Sequence, residues 1–276
     1  MAPFGKHSMA QKARLRKSTQ RQKAARKNMS KWDQDLSRVR PWTDGTMARL
    51  KQAEATGADA RWAIALRQDL DASKLINAEL QDAGVPFSVG ELANVRAPYP
   101  EAIPLLVRHL RNNTYPERVQ EAIVRALTVN YGGAQVFDEL FWVFMSRYAD
   151  MREVLRFAFG NALAGSASRN NIEALVKIAN DPDFGDARAE PLYRLAKWKV
   201  DFARKIALKM LANSDMPWDA IRALRLFKEW SAASLVEPFI RDPNQNFREE
   251  ARKFMKAASR QLKVVVDVDE LPRAES

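Results

Sequence analysis

The chain has 276 residues, 46% of them hydrophobic, with no cysteine, two histidines (His7 and His109) and a net charge of +11. This length suits one elongated domain or one domain with an appendage. The missing cysteines exclude disulfides, thiolate metal sites and cysteine nucleophiles, and two histidines leave a histidine-based zinc site short of ligands. No apolar run approaches the roughly 18 residues of a membrane span. A soluble protein is therefore expected, and the lack of cysteine fits the cytoplasm.

The charge is concentrated at the start. Residues 1–31 hold ten basic residues and no acidic one, which leaves 35 basic and 34 acidic residues in the rest. The body is close to neutral, and the high isoelectric point belongs to the arm. Apolar residues are sparse there (Phe4, Met9, Leu15, Met29), too few to offset the entropy of ordering, so a disordered arm or a solvated helix is expected. Lys12, Arg14, Arg16, Lys17, Arg21, Lys23, Arg26 and Lys27 are the residues that would meet a polyanion such as nucleic acid. A passive solvated tail is an equal reading. A transit peptide fits less well because the apolar face is thin, and a secretory signal is excluded by the missing apolar region.

From 32 to 98 the pattern turns helical. Thr43 and Asp44 suit the cap of a helix ending near Gly57. A second helix rich in small residues runs through Ala60, Ala63, Ile64, Ala65 and Leu66. Asp71 suits the cap of a third, with Leu75, Ile76 and Leu80 on one face and Gly84 at its end. Ser88 and Glu91 have capping-box spacing. This segment is read as a helical N-terminal cap.

From 99 to 261 one plan recurs. A helix carrying Ile103, Leu105, Leu106 and Leu110 is followed by a turn at 112–116 and a helix carrying Val119, Ala122, Ile123, Ala126 and Leu127. Similar pairs follow in VFDELFWVFMSRYADMREVLRFAFGNALAG, NIEALVKIANDPDFGDARAEPLYRLAKWK, DFARKIALKMLANSDMPWDAIRALRLFKEW and SLVEPFIRDPNQNFREEARKFMKAAS. Compact anchors in the second helices fall at Ala122, Ala158, Pro191, Ala220 and Ala251. A period of about 30 with paired amphipathic helices is the pattern of a solenoid, in which each pair buries its apolar face on its neighbours. The expected fold class is all-α, an α-α superhelix of about five helix pairs behind the cap, with a C-terminal tail over 262–276.

The pieces DPNQNFREEARKFM and YPERVQEAIVRAL resemble HEAT repeats, particularly the short form found in PBS-lyase-like bacterial proteins. GVPFSVGELANV, YPEAIPLLVRHL and VQEAIVRALTV are also similar to an uncharacterised bacterial family of HEAT-repeat proteins. The resemblance spans roughly residues 85–261. It implies a HEAT-like solenoid whose second helices line a concave binding face. That superfamily holds adaptors, immunity-type binders, lyase-like subunits and DNA glycosylases, so it implies fold more than function. The Asp-Pro turn of such repeats occurs here at Asp181-Pro182 and Asp242-Pro243. Pro191 falls inside a second helix, where a kink is expected, and Pro104 near a helix start, where it is tolerated.

No sequence motif demands an enzyme. Gly132-Gly133 links two pairs rather than cradling a phosphate, and His109 reads as a partly exposed surface histidine. The carboxylate pairs Asp138-Glu139, Glu249-Glu250 and Asp181/Asp183 read as capping or solvated groups. The positive signal is a series of basic residues on the second helices. Arg125, Arg156, Arg194, Arg222, Arg225 and Lys253, with Trp198 as an aromatic anchor, are the candidate partner-binding residues. Acidic neighbours on the same helices allow the alternative that some of them only make internal ion pairs.

A non-catalytic scaffold that grips a protein on the concave face, as an adaptor or toxin-immunity protein would, is the expected function. No catalytic residue, metal, cofactor, small-molecule substrate or membrane is expected. The alternative is a nucleic-acid binder using residues 1–31 and the concave arginines. A glycosylase-like enzyme, with Trp198 and Asp201 or Trp218 and Asp219 at its centre, ranks behind both.

Overall fold

The computed structural model describes residues 31–112 and 114–262. The polyanion-binding arm expected over Lys12 to Lys27 lies outside them, as does the tail from 263 onward. The described residues are all-helical: fourteen α-helices, short 3-10 turns between them and no strand. None of these helices is long and apolar enough to cross a membrane. The chain divides into two compact units, one ending at Tyr99 and the other starting at Pro100.

The first unit holds α1 (Lys31–Thr56), α2 (Ala60–Ala72), α3 (Lys74–Asp82) and α4 (Val89–Leu92). Helix α1 runs unbroken for 26 residues with Pro41 inside it. Thr43 and Asp44 therefore lie within a helix rather than capping one. The Thr43 hydroxyl donates instead to Glu91 Oε1 at 2.7 Å, a partner 48 residues away that no local pattern reveals. Gly57 ends α1 in the left-handed region at φ 70°, its N–H donating to the Ala53 carbonyl, the usual way of satisfying a last-turn acceptor. Asp71 sits in the last turn of α2, and Ser73 divides α2 from α3. The capping box at Ser88 forms, with Ser88 N and Oγ 2.8 and 2.9 Å from Glu91 Oε2.

One apolar cluster joins α1 to α2 through Leu50, Ala53 and Ala63, with Trp62, Leu66 and Leu70 around it. Asp35 is buried near the start of α1. It accepts hydrogen bonds from the backbone N–H of Arg96 and Ala97, both at 2.8 Å, and pairs with Arg38 at 2.7 Å. Burial, the largest influence on its carboxyl, pushes the pKa up. The hydrogen bonds from Arg38, Ala97 and Arg96 together outweigh burial and hold it below the ordinary aspartate value.

The second unit holds α5 (Ile103–Leu110) and α6 (Glu117–Ala126), α7 (Gly133–Arg147) and α8 (Glu153–Ser166), α9 (Ile172–Asn180) and α10 (Ala189–Lys197). These are followed by α11 (Asp201–Ala212) and α12 (Pro217–Phe227), and by α13 (Ala233–Val236) and α14 (Gln245–Leu262). Each odd-numbered helix packs on the even-numbered helix that follows it. The even helices also pack on one another in chain order: α6 on α8, α8 on α10, α10 on α12 and α12 on α14. All five anchors, Ala122, Ala158, Pro191, Ala220 and Ala251, fall on this row and four of them are buried, Ala122 being half-buried. Their small size lets successive backbones approach.

Helix α8 and the 3-10 turn Pro182–Arg188 pack closely. A Cβ on Gly160 would stand 2.2 Å from the Ala187 carbonyl oxygen, so only glycine fits there. Beside it, Phe144, Phe159 and Phe184 pack with ring centroids 5.3 and 5.7 Å apart around Phe144. Trp142, two residues before Phe144 on the same helix, is exposed.

Two local expectations are corrected. Pro191 is the third residue of α10, because that helix starts at Ala189 after the 3-10 turn. An N–H at that position has no intrahelical acceptor, so proline costs no hydrogen bond and no kink is imposed. His109 is buried rather than surface-exposed, and its Nδ1 lies 2.7 Å from the Tyr115 hydroxyl. It follows Leu106 by three residues and so falls on the apolar side of α5.

A candidate cleft on the row of second helices

The basic residues expected to face a partner take up different situations. Arg125 is exposed and pairs along its own helix with Glu121 at 2.7 Å. Arg156 is half-buried, and its Nε is enclosed without a hydrogen-bond partner among the described residues. Arg194 lies 5.7 Å from the ring of Trp198, with Arg169 on the same indole at 5.9 Å. Arg225 and Lys253 share the buried carboxylate of Glu250, at 2.7 and 3.5 Å, which ties α12 to α14. Arg222 bridges α12 to α10. Its Nη1 stands 3.5 Å from Glu190 Oε1 and 3.5 Å from Asp219 Oδ1. The structure thus brings Arg225 and Lys253 together on Glu250, and Arg194 together with Trp198. Arg125 and Arg156 share no partner with the others.

Arg222 marks the edge of a feature that no single stretch of sequence displays. Its guanidinium is held between two aromatic rings, 4.1 Å from the centroid of Tyr193 and 4.2 Å from that of Trp218. Next to it opens a cleft of about 390 Å³, within the size range of ligand sites. Phe157 of α8, Met216 and Trp218 at the start of α12, and Phe247 of α14 form apolar walls. Asp186 of the 3-10 turn, Glu190 of α10 and Asp219 of α12 supply carboxylates. The start of α12 gives the cleft its form. Met216 adopts the left-handed conformation at φ 45°, and Pro217 then begins the helix, a position that suits its fixed φ and missing N–H. That turn delivers Trp218 and Asp219 side by side.

Asp219 is the unusual group. Its side chain is only 14% exposed, and its Oδ1 is enclosed with no hydrogen-bond partner among the described residues. Arg222 is too distant, and too evenly shared with Glu190, to fill that role. Burial raises the Asp219 pKa to about 6; Arg222 opposes the rise, and the nearby carboxylates Glu190 and Asp186 reinforce it. A carboxyl with this pKa in a cleft is a mark of functional sites. The residues lining the cleft include no histidine, lysine, serine or threonine, and the titratable groups beside Asp219 are the carboxylates of Glu190 and Asp186. No group of three or more His, Asp or Glu among the described residues is arranged to hold a metal ion.

A larger cleft of about 620 Å³ in the first unit is lined by Lys31, Arg38 and Arg96 around Asp35. There the one buried carboxylate is already fully hydrogen-bonded. The second-unit cleft is therefore the stronger candidate. Sequence reading paired Trp218 with Asp219 but missed Phe157, Asp186, Glu190, Met216 and Phe247 as their companions. These come from five separate elements spread over some ninety residues. The one local signal was a tryptophan and an aspartate in the first turn of a helix opened by proline.

Compared with protein-family models, with curated proteins and with solved structures, the chain matches none.

Proposed function

We propose that the second unit is a HEAT-like α-solenoid of five helix pairs, akin to the short HEAT repeats its sequence resembles. On this reading it acts as a non-catalytic scaffold that grips a protein partner on the face of its second helices. The continuous packing of α6, α8, α10, α12 and α14 supports the solenoid reading, since each pair shares its core with the next. One observation carries the choice of partner. Arginines along this row are engaged inside the protein: Arg125 with Glu121, Arg222 with Glu190 and Asp219, and Arg225 with Glu250. A phosphate backbone needs a run of uncommitted cations. This row instead presents mixed charge with exposed apolar side chains such as Val154 and Phe157, a surface suited to protein. A reducing cytoplasm suits such a cysteine-free scaffold, whose concrete forms are an adaptor or a toxin-immunity protein.

Site-specific photocrosslinking of the full chain in its native cell tests the reading. Crosslinkers at Ala122 and Arg125, on α6, are expected to trap a discrete protein adduct. Crosslinkers at Lys177 and Lys205, on α9 and α11, are expected to trap none. Adducts to nucleic acid alone would overturn it in favour of the second reading, in which the ten cations of residues 1–31 bind a polyanion. That reading requires affinity for DNA or RNA that falls steeply with salt and disappears when residues 1–31 are removed.

A further inference from the structure

The geometry points to the cleft between α8, α10, α12 and α14 as a cation site, one that takes the guanidinium or ammonium group of an arginine or lysine side chain presented by a protein partner. This inference rests on the scaffold reading and names the chemistry its partner must offer.

Three observations converge. First, the charge is unbalanced. Asp186, Glu190 and Asp219 line the cleft, and the one guanidinium beside them, that of Arg222, is shared between Glu190 and Asp219. Asp186 makes no ion pair among the described residues. An anion would meet net repulsion here. Second, an enclosed acceptor is unsatisfied. Asp219 Oδ1 makes no hydrogen bond among the described residues and has Arg222, at 3.5 Å and shared with Glu190, as its ion-pair partner. Its charge is therefore only partly offset, and a neutral apolar side chain filling the cleft would do nothing to offset the rest. Third, the walls are aromatic. Phe157, Trp218 and Phe247 frame the opening, and ring faces attract a partly desolvated cation. The protein already uses this chemistry once at the same place, in the stacking of Arg222 between Tyr193 and Trp218. Carboxylates alone would not define a site. The combination of a sized cleft, aromatic walls and carboxylates that one shared guanidinium only partly offsets defines the kind of group that completes it. The elements around Asp219 present Arg222, Glu190 and Asp186 as its charged neighbours, so a cation that binds beside it favours its ionised form, and binding must weaken in acid.

Fluorine NMR on full-length protein labelled with fluorotryptophan reads the site directly. The chain has seven tryptophans, and Trp218→Phe assigns the resonance of interest. The probe is Nα-acetyl-arginine methylamide, with the norleucine and glutamate analogues as controls. A saturable shift of the Trp218 resonance is expected with the arginine probe. Affinity for either control, or for the arginine probe in Asp219→Asn or Glu190→Gln, should be about tenfold or more lower, a loss of about 1.4 kcal/mol. The shift should also fade as pH is lowered from about 7.5 to about 5. The six other tryptophan resonances report whether each variant keeps its fold. An equal response to the norleucine probe, undiminished affinity in both variants, or no saturable shift with arginine would overturn the inference. Adducts from Ala122 and Arg125 with a silent Trp218 would defeat this inference alone. A saturable Trp218 shift without those adducts would defeat the scaffold reading alone.

Discussion

Replacing Asp219 with asparagine should make the protein more stable at neutral pH. In the folded chain the carboxyl titrates near 6, against 3.8 for an unperturbed aspartate. That difference of about two units corresponds to about 3 kcal/mol, at about 1.4 kcal/mol per unit. The sign follows from proton counting. Between pH 3.8 and about 6 the native state binds more protons at this site than the unfolded chain does. Stability therefore falls as pH rises through that window and stays at the lower level above it. Asparagine keeps the shape of the protonated acid and removes the buried charge. Its amide brings two new donors to satisfy, which reduces the gain to about 1–3 kcal/mol. Urea unfolding followed by circular dichroism at several pH values measures it. The variant should exceed the parent above pH 6, and the two should converge near pH 4 and below. In calorimetry the gain should appear as a rise in Tm of about 2–4 °C per kcal/mol for a chain of this size. A variant less stable than the parent at pH 7.5, or a difference independent of pH, would refute the reasoning.

Other substitutions test the remaining structure. Gly160→Ala gains about 1 kcal/mol of helix propensity but drives a methyl group into the Ala187 carbonyl. With backbone on both sides of a contact more than 1 Å too short, a net loss of about 1–3 kcal/mol is expected in denaturant unfolding; an alanine variant as stable as the parent would show that α8 and the 182–188 turn separate freely. Asp35→Asn should destabilise the first unit by about 2–3 kcal/mol, through weakened hydrogen bonds from Arg38, Arg96 and Ala97. Its folded pKa is depressed, so this contribution is present above the unfolded value of 3.8 and is lost as pH falls through the folded one; thermal melts between about pH 2 and 7 should show the parent and variant converging in acid. Glu250→Ala removes the carboxylate shared by Arg225 and Lys253. It should lower stability by about 1–2 kcal/mol and raise amide hydrogen exchange in α14, whereas unchanged exchange there would show that apolar contacts alone hold α14 on α12.

Local chemistry was legible where local physics decides. The capping box at Ser88 and Glu91, the left-handed glycines at 57 and 84 and the apolar spacing of the repeats all act over a turn or two of helix. They could be read without knowing what lies across the core. Thr43 and Asp44 misled because residues of a type that caps helices also occur inside them when a distant acceptor, here Glu91, takes the hydroxyl. His109 misled because polarity was weighed above its place on the apolar stripe, and Tyr115 supplies the partner that lets it be buried. Pro191 was judged against a helix drawn too early, since a 3-10 turn occupies 182–188. The cleft escaped for a different reason. Its walls and carboxylates come from α8, α10, α12, α14 and one turn, and the raised pKa of Asp219 is produced by their enclosure, which leaves no periodic trace.

The turn at Met216 has a consequence of its own. A methionine in the left-handed region is held there against a preference of roughly 1–2 kcal/mol. Asp219, three residues on, keeps a charge its surroundings oppose. Glycine at one position and asparagine at the other would relieve both at once. An evolution experiment that rewarded thermal resistance alone would be expected to take those two steps early, and to deliver a sturdier protein that has lost the cation binding proposed for the cleft. The residues a stability screen would discard first are, on the proposed reading, the ones a binding screen would retain.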